Sequence, residues 1–140
     1  MEATAHARFQ RFGRRKVAQV LKEIRGKSVL KAEQILPLLP RACGLMIAKT
    51  VRSAAANLTI KARLAGRNLV PERVYIRSCW AGQGPMGNMR RVMPAPMGRA
   101  NSFRRKVCHL TVVVSDDADA PSTEGERQRS GGVSPRADGR

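Results

Sequence analysis

Few residues in this chain could carry out covalent chemistry, and they are scattered. There are two histidines, His6 and His109, and three cysteines, Cys43, Cys79 and Cys108. A zinc site or disulfide framework calls for closely spaced ligands such as C-x-x-C, and none occurs, so no metal is expected. The cysteines read as small core residues of a reducing compartment. Glu72 is the one acid between Gln34 and Ser115, which supports neither a carboxylate pair nor a nucleophile–histidine–acid arrangement. What remains is "GQGPMG", Gly82–Gly87, which fits G-x-G-x-x-G. A phosphate-cradling loop of that type needs a helix right after the glycines and an acid about 20 residues further on. Here Pro85, Asn88, Pro94, Pro96 and Gly98 prevent a helix, the next acid is Asp116, and no G-K-[ST] is present. No cofactor and no catalytic activity are expected.

Charge is the dominant chemistry. The formal net charge is +17 over 140 residues. Residues 1–115 hold 23 Lys or Arg against 4 Asp or Glu, and residues 116–140 hold 4 against 6. A domain this positive repels itself unless it lies against a polyanion, with nucleic acid ahead of an anionic membrane surface. No stretch approaches the roughly 18 apolar residues of a membrane helix. The opening "MEATAHARFQRFGRRK" turns basic with no apolar segment, so no signal peptide is expected.

The elements that must position these charges show as periodicities. Val17, Val20, Leu21 and Ile24 share one helix face, and Arg25-Gly26 ends it. Ser28 is placed to cap a second helix with Val29, Ala32, Ile35 and Leu36 inward, and Pro37 and Pro40 should stop it. A third helix from about Arg41 should bury Leu45, Ala48, Val51, Ala55, Leu58 and Ala62. "VYIRSCW" (Val74–Trp80) and "CHLTVVVS" (Cys108–Ser115) read as strands. The tail beyond Ser115 has Val133 as its one large apolar residue and is expected to be disordered.

Between the two strands lies a turn-rich run, "MPAPMG" (Met93–Gly98), so residues from about 72 to 115 are expected to form one long β-hairpin. With the turn at Ala95, Ile76 should face Val114 and Trp80 should face Leu110. At about 3.3 Å per residue such an arm reaches on the order of 50 Å, and most of it should project. An isolated two-stranded ribbon is marginal in water. Arg90, Arg91, Arg99, Arg104, Arg105 and Lys106 decorate it, and no acid occurs from Arg73 to Ser115. Arginine suits a phosphate backbone, because its planar fork binds phosphate bidentately and stacks on bases. A second basic cluster, Arg8, Arg11, Arg14, Arg15 and Lys16, opens the first helix, where the helix dipole prefers acids. Arg25 and Lys27 can reach the same surface, and Arg52 and Arg77 add to it. Trp80 could stack on a base or pack at the hairpin root.

These residues carry a resemblance. "GRANSFRRKVCHLTVVVSD" (Gly98–Asp116), "IRGKSVLKAEQIL" (Ile24–Leu36) and "AKTVRSAAANL" (Ala48–Leu58) resemble, in order, the family of large-subunit ribosomal protein twenty-two in its bacterial and organellar form. "GPMGNMRRVMPAPMGRA" is similar to that family's hairpin tip, and the likeness spans about residues 5–116. The run "LPRACGLMIAK" leans towards chloroplast members, with bacterial cytoplasm or mitochondrion as the alternatives. Departures occur at Met86–Arg91, with about two extra residues, at Ala95 and Met97, where relatives often carry basic residues, and at Phe12-Gly13, which replaces a Ser-Pro.

The resemblance implies an α+β fold, with about three helices on a small antiparallel sheet and a long protruding β-hairpin. It implies that the body binds large-subunit ribosomal RNA, with His109 close to it, among neighbouring ribosomal proteins. It implies that the arm lines the exit tunnel of the nascent polypeptide, with Met89, Arg90, Arg91, Met93, Pro94, Ala95, Pro96, Met97, Gly98 and Arg99 at or near its tip. An architectural DNA-binding protein with β-arms in the minor groove is the alternative, and it too would be basic.

Overall fold

The computed structural model describes residues 1–87 and 90–116. In chain order the elements are β1 (Glu2–Gln10), α1 (Arg14–Ile24), α2 (Val29–Leu38), α3 (Gly44–Leu64), a short 3-10 turn (Pro71–Arg73), β2 (Val74–Gln83), β3 (Arg90–Pro94), β4 (Ala100–Arg104) and β5 (Cys108–Asp116). The strands form two antiparallel sheets, one ordered β1-β5-β2 and one made of β3 and β4 alone. This is an α+β fold with three helices and a hairpin, as expected.

One core holds it together. Val17, Leu21 and Ile24 of α1, Ile47, Val51 and Leu58 of α3, and Ile76, Leu110, Val112 and Val114 of the sheet are fully buried in one cluster. Removing each Leu or Ile side chain from water contributes about 1.5–3 kcal/mol. α3 packs on β1 and β5, and α1 packs on β2.

The helix boundaries follow local chemistry. Gly26 takes φ 73° and ends α1. The Ser28 side chain accepts a hydrogen bond from the Lys31 N–H at 3.4 Å and caps α2. Pro37 does not end α2 as the sequence suggested. It sits in the last turn, and the helix closes at Leu38. A proline there removes one backbone bond where the helix is about to stop, while Leu39, held extended before Pro40, ends it.

The buried face of α3 is also corrected. Ile47, Val51, Ala54, Leu58 and Ala62 point inward, whereas Leu45 is 78% exposed and Ala48 and Ala55 are half-buried. The expected stripe mixed two neighbouring faces, because the alanine run Ala54–Ala56 satisfies either.

β1 was not anticipated from the sequence. Its residues Ala3, Ala5 and Ala7 are weak strand formers. It becomes a strand by pairing along β5, from Glu2↔Ser115 to Ala7↔Leu110. Its outer edge is closed by α3. Asn57 Nδ2 donates to the Thr4 carbonyl at 3.0 Å, and Lys61 Nζ donates to the Glu2 carbonyl at 3.1 Å. Helix positions four apart thus meet strand positions two apart, leaving little edge for unwanted pairing.

The long hairpin departs from expectation in three ways. Ile76 does pair with Val114, but Trp80 pairs with Thr111 and not Leu110, because the register slips between Ile76 and Ser78 at a bulge. The turn lies at Met97, not Ala95. Its central residues Met97 (φ 60°) and Gly98 (φ 67°) are both left-handed, and the Arg99 N–H donates to the Pro96 carbonyl at 3.4 Å. Pro94 and Pro96, locked near φ −65°, cannot take those positions. Finally, the ladder is broken. Pairing stops at Gln83↔Cys108 and resumes at Arg90↔Arg104. The lower arm, β2 with β5, belongs to the core sheet. In the upper arm every residue of β3 and β4 is exposed, and a five-residue strand such as β3 spans about 17 Å.

Asp116, placed with the tail by its charge, is the last residue of β5 and pairs with Val74. The tail expected to be disordered lies otherwise outside the described residues, as do Asn88 and Met89.

Candidate nucleic-acid interface

The break in the hairpin ladder sits beside the start of α1, and the two basic clusters meet there. Gly13 precedes α1 without a side-chain cap, and its first turn holds Arg14, Arg15 and Lys16 with no acid. Directly across lie Arg105 and Lys106, where the returning arm re-enters the body. Together they enclose a cleft of about 460 Å³, lined by Arg11, Phe12, Gly13, Lys16, Arg91, Arg105, Lys106 and Val107. A second concavity of about 480 Å³ adjoins it, lined by Gly13, Arg14, Arg15, Lys16, Gln83, Lys106 and Val107. Neither has an acid in its wall.

Such a cleft is unfavourable alone. Cations from the body and the arm face one another, and the positive end of the helix dipole adds to them. A phosphate group reverses every sign, since it accepts hydrogen bonds from guanidinium, ammonium and the free N–H groups of the helix start.

The other expected contact residues divide into two groups. Arg8 and Arg11 are exposed around the end of β1, and Arg90, Arg91, Arg99 and Arg104 are exposed along the upper arm. Arg90 Nη2 reaches Ser102 Oγ across that ribbon at 3.3 Å. In contrast, three arginines are engaged within the chain. Arg25 Nη2 donates to the Cys79 carbonyl at 2.9 Å. Arg52 pairs with Glu33 at 2.9 Å, and Arg77, at the β2 bulge, pairs with Glu2. Lys27 is half-buried, and its carbonyl accepts from the Ile76 N–H at 2.9 Å. These four stand apart from the cleft.

At the tip, Met93, Pro94, Pro96, Gly98 and Arg99 are exposed, and Met97 is 93% exposed, while Ala95 is half-buried. Met89 lies outside the described residues. His109 is half-buried, and its Nδ1 accepts from the Phe9 N–H at 3.1 Å. Trp80 is 51% exposed and pairs with Thr111 on β5, so packing does not consume its ring.

The glycine pattern has a structural explanation. The Gly84 N–H donates to the Val107 carbonyl at 2.9 Å. A Cβ on Gly84 would lie 2.9 Å from Val107 Cγ1 and 3.2 Å from His109 Nε2. The glycine lets two backbones cross closely where the ladder breaks. Among the described residues no α-helix follows these glycines before β3, so the chain lacks the strand–turn–helix order that a dinucleotide loop needs.

All three cysteines are buried and unpaired. Burial pushes the Cys79 thiol above its ordinary value, against the opposing effect of Arg25. Burial likewise raises Cys108, against a backbone hydrogen bond from Phe12. Among the described residues no three His, Cys, Asp or Glu side chains gather as a metal site would require.

Sequence reasoning found the cations but missed Phe12, Gly13 and Gln83 as walls of the cleft, and it missed Phe9. Their part depends on β1 and on the broken ladder, neither of which leaves a periodic mark.

Residues 5–115 match the family described as Ribosomal protein L22p/L17e. The chain is 44% identical to the large ribosomal subunit protein uL22 of Pelotomaculum thermopropionicum, over 83% of this chain and 96% of that protein. It is 40% identical to the protein of the same name from Clostridioides difficile, over 83% and 98%. It is 38% identical to that of Myxococcus xanthus, over 83% and 97%. A basic cleft and a basic exposed arm on a three-helix α+β body thus coincide with a match along the whole body and arm: the chain belongs to the ribosomal protein L22p/L17e family.

Proposed function

We propose that this protein is a structural component of the large ribosomal subunit. Its basic cleft grips large-subunit ribosomal RNA, and its upper arm, Arg90–Arg104, lines the path of the nascent polypeptide. The observation that carries this reading is the acid-free cleft shared by the start of α1 and the base of the arm. Phosphate contacts supply most of the affinity, and the shape of the folded RNA supplies the specificity. Side chains do no covalent work in this role. No helix among the described residues is long and apolar enough to cross a membrane. The run Leu39–Lys49 supports a chloroplast ribosome as the host, while the relatives named above are bacterial.

Binding of the full chain to in vitro transcribed large-subunit ribosomal RNA, followed across salt concentration, tests the RNA reading. About six phosphate contacts give a log–log slope of roughly −5. A flat response, or duplex DNA competing as well as the RNA, overturns it. For the arm, deleting Met89–Arg91 should leave assembly intact and change the ribosome's sensitivity to tunnel-binding drugs. Loss of incorporation into the subunit would make those residues anchors.

A further inference from the structure

Phe9 stands out once the cations are set aside. The β1–β5 ladder runs in register to Ala7↔Leu110 and resumes at Gln10↔Cys108, so Arg8 and Phe9 together oppose His109 alone. That is a β-bulge, and Phe9 occupies it at φ 55°. Among the described residues only Met97 shares a positive φ without being glycine. A glycine would take that conformation at no steric cost, whereas an aromatic residue is strained in it. Strain of this kind is normally offset by burial, yet Phe9 is 63% exposed and lies outside the core.

The ring is nevertheless held. Its backbone N–H donates to His109 Nδ1 at 3.1 Å. The two rings meet edge-on, with centroids 4.8 Å apart and planes at 84°. Accepting at Nδ1 places the proton of the neutral imidazole on Nε2. Arg8 precedes Phe9 in the chain and Arg11 follows two positions later, and both are exposed.

We propose that Phe9, braced by His109, is a stacking platform for one unpaired base of the bound RNA, with Arg8 and Arg11 taking the flanking phosphates. The proposal rests on the RNA-binding reading above. A restrained, exposed aromatic ring beside guanidinium groups has the features that recognise a splayed-out nucleotide, and it accepts any base because every base has a π-face.

The test uses the full chain and in vitro transcribed large-subunit ribosomal RNA at fixed salt, with variants Phe9→Gly, Phe9→Leu and Phe9→Trp. Phe9→Gly relieves the strain, so its melting temperature should equal or exceed that of the parent. Its affinity should fall roughly 5- to 150-fold, the range for loss of one base–aromatic stack, with the salt slope unchanged. Phe9→Leu keeps apolar bulk without a π-face and should also bind weakly, while Phe9→Trp should bind like the parent. Full affinity in Phe9→Leu overturns the platform, whatever Phe9→Gly does. If Phe9→Gly is destabilised as well as weak, Phe9→Leu decides: recovery of binding makes Phe9 a packing residue, and continued weakness supports stacking. Failure of the parent chain to bind the RNA would instead overturn the reading beneath the proposal.

Discussion

Arg25 Nη2 donates to the carbonyl of Cys79 at 2.9 Å, tying the end of α1 to the middle of β2. The Cys79 thiol in turn points at the Leu21 carbonyl, 3.6 Å away, one turn earlier in α1. The Gly26 N–H reaches the Ile76 carbonyl at 3.0 Å. Helix and strand are thus laced at three points, and Arg25 serves the fold before it serves any ligand.

Replacing Arg25 with Ala should therefore lower stability by about 1.5–3 kcal/mol, the range for a hydrogen bond to a charged group. The salt slope of RNA binding should be unchanged. Urea unfolding and salt titration of the same variant separate the two effects. A full-strength fold with a shallower slope would return Arg25 to the RNA surface.

Arg105 and Lys106 should behave in the opposite way. Each Ala substitution should reduce the magnitude of the slope by about 0.7–0.9 if the residue neutralises one phosphate. Stability should hold or rise slightly, since a cation facing Arg11 and Lys16 is removed. The urea midpoint and the slope should move independently.

Gly84→Ala forces a Cβ to within 2.9 Å of the stiff side chain of Val107. Overpacking of this kind costs about 1–3 kcal/mol. A drop in melting temperature of several degrees is expected, with the parent showing no stabilisation by millimolar nucleotide. Unchanged stability in the variant would mean that the two strands do not cross closely there.

The buried thiols predict an alkaline weakness. Both Cys79 and Cys108 are raised above the ordinary value of 9.0. Below that pH they are protonated in both the folded and unfolded chain and contribute no slope. Above it the unfolded chain loses its protons first, so stability falls as pH rises from about 9.0 through the raised folded values. Urea midpoints at pH 8 and pH 10 should differ less in a Cys79→Ala, Cys108→Ala double variant than in the parent.

Much of this protein follows from the chain alone. The inward face of α1, the Gly26 stop, the Ser28 cap and the identity of β2 and β5 are local matters, set by residues within a few positions of one another. The surplus of positive charge is a property of composition, and it already implied a polyanion. Tertiary structure decided the rest. β1 is a strand because β5 and α3 satisfy its backbone, and its alanines do not favour that state by themselves. The hairpin register depends on a bulge at Arg77 and on where positive φ can be tolerated, which composition does not reveal. Most of all, Arg11 and Lys106 lie 95 positions apart in the chain yet line one cleft. Charge could be counted along the chain, but only folding brings it to a point, because Coulomb repulsion and phosphate recognition act over a few ångströms of space and take no account of distance along the sequence.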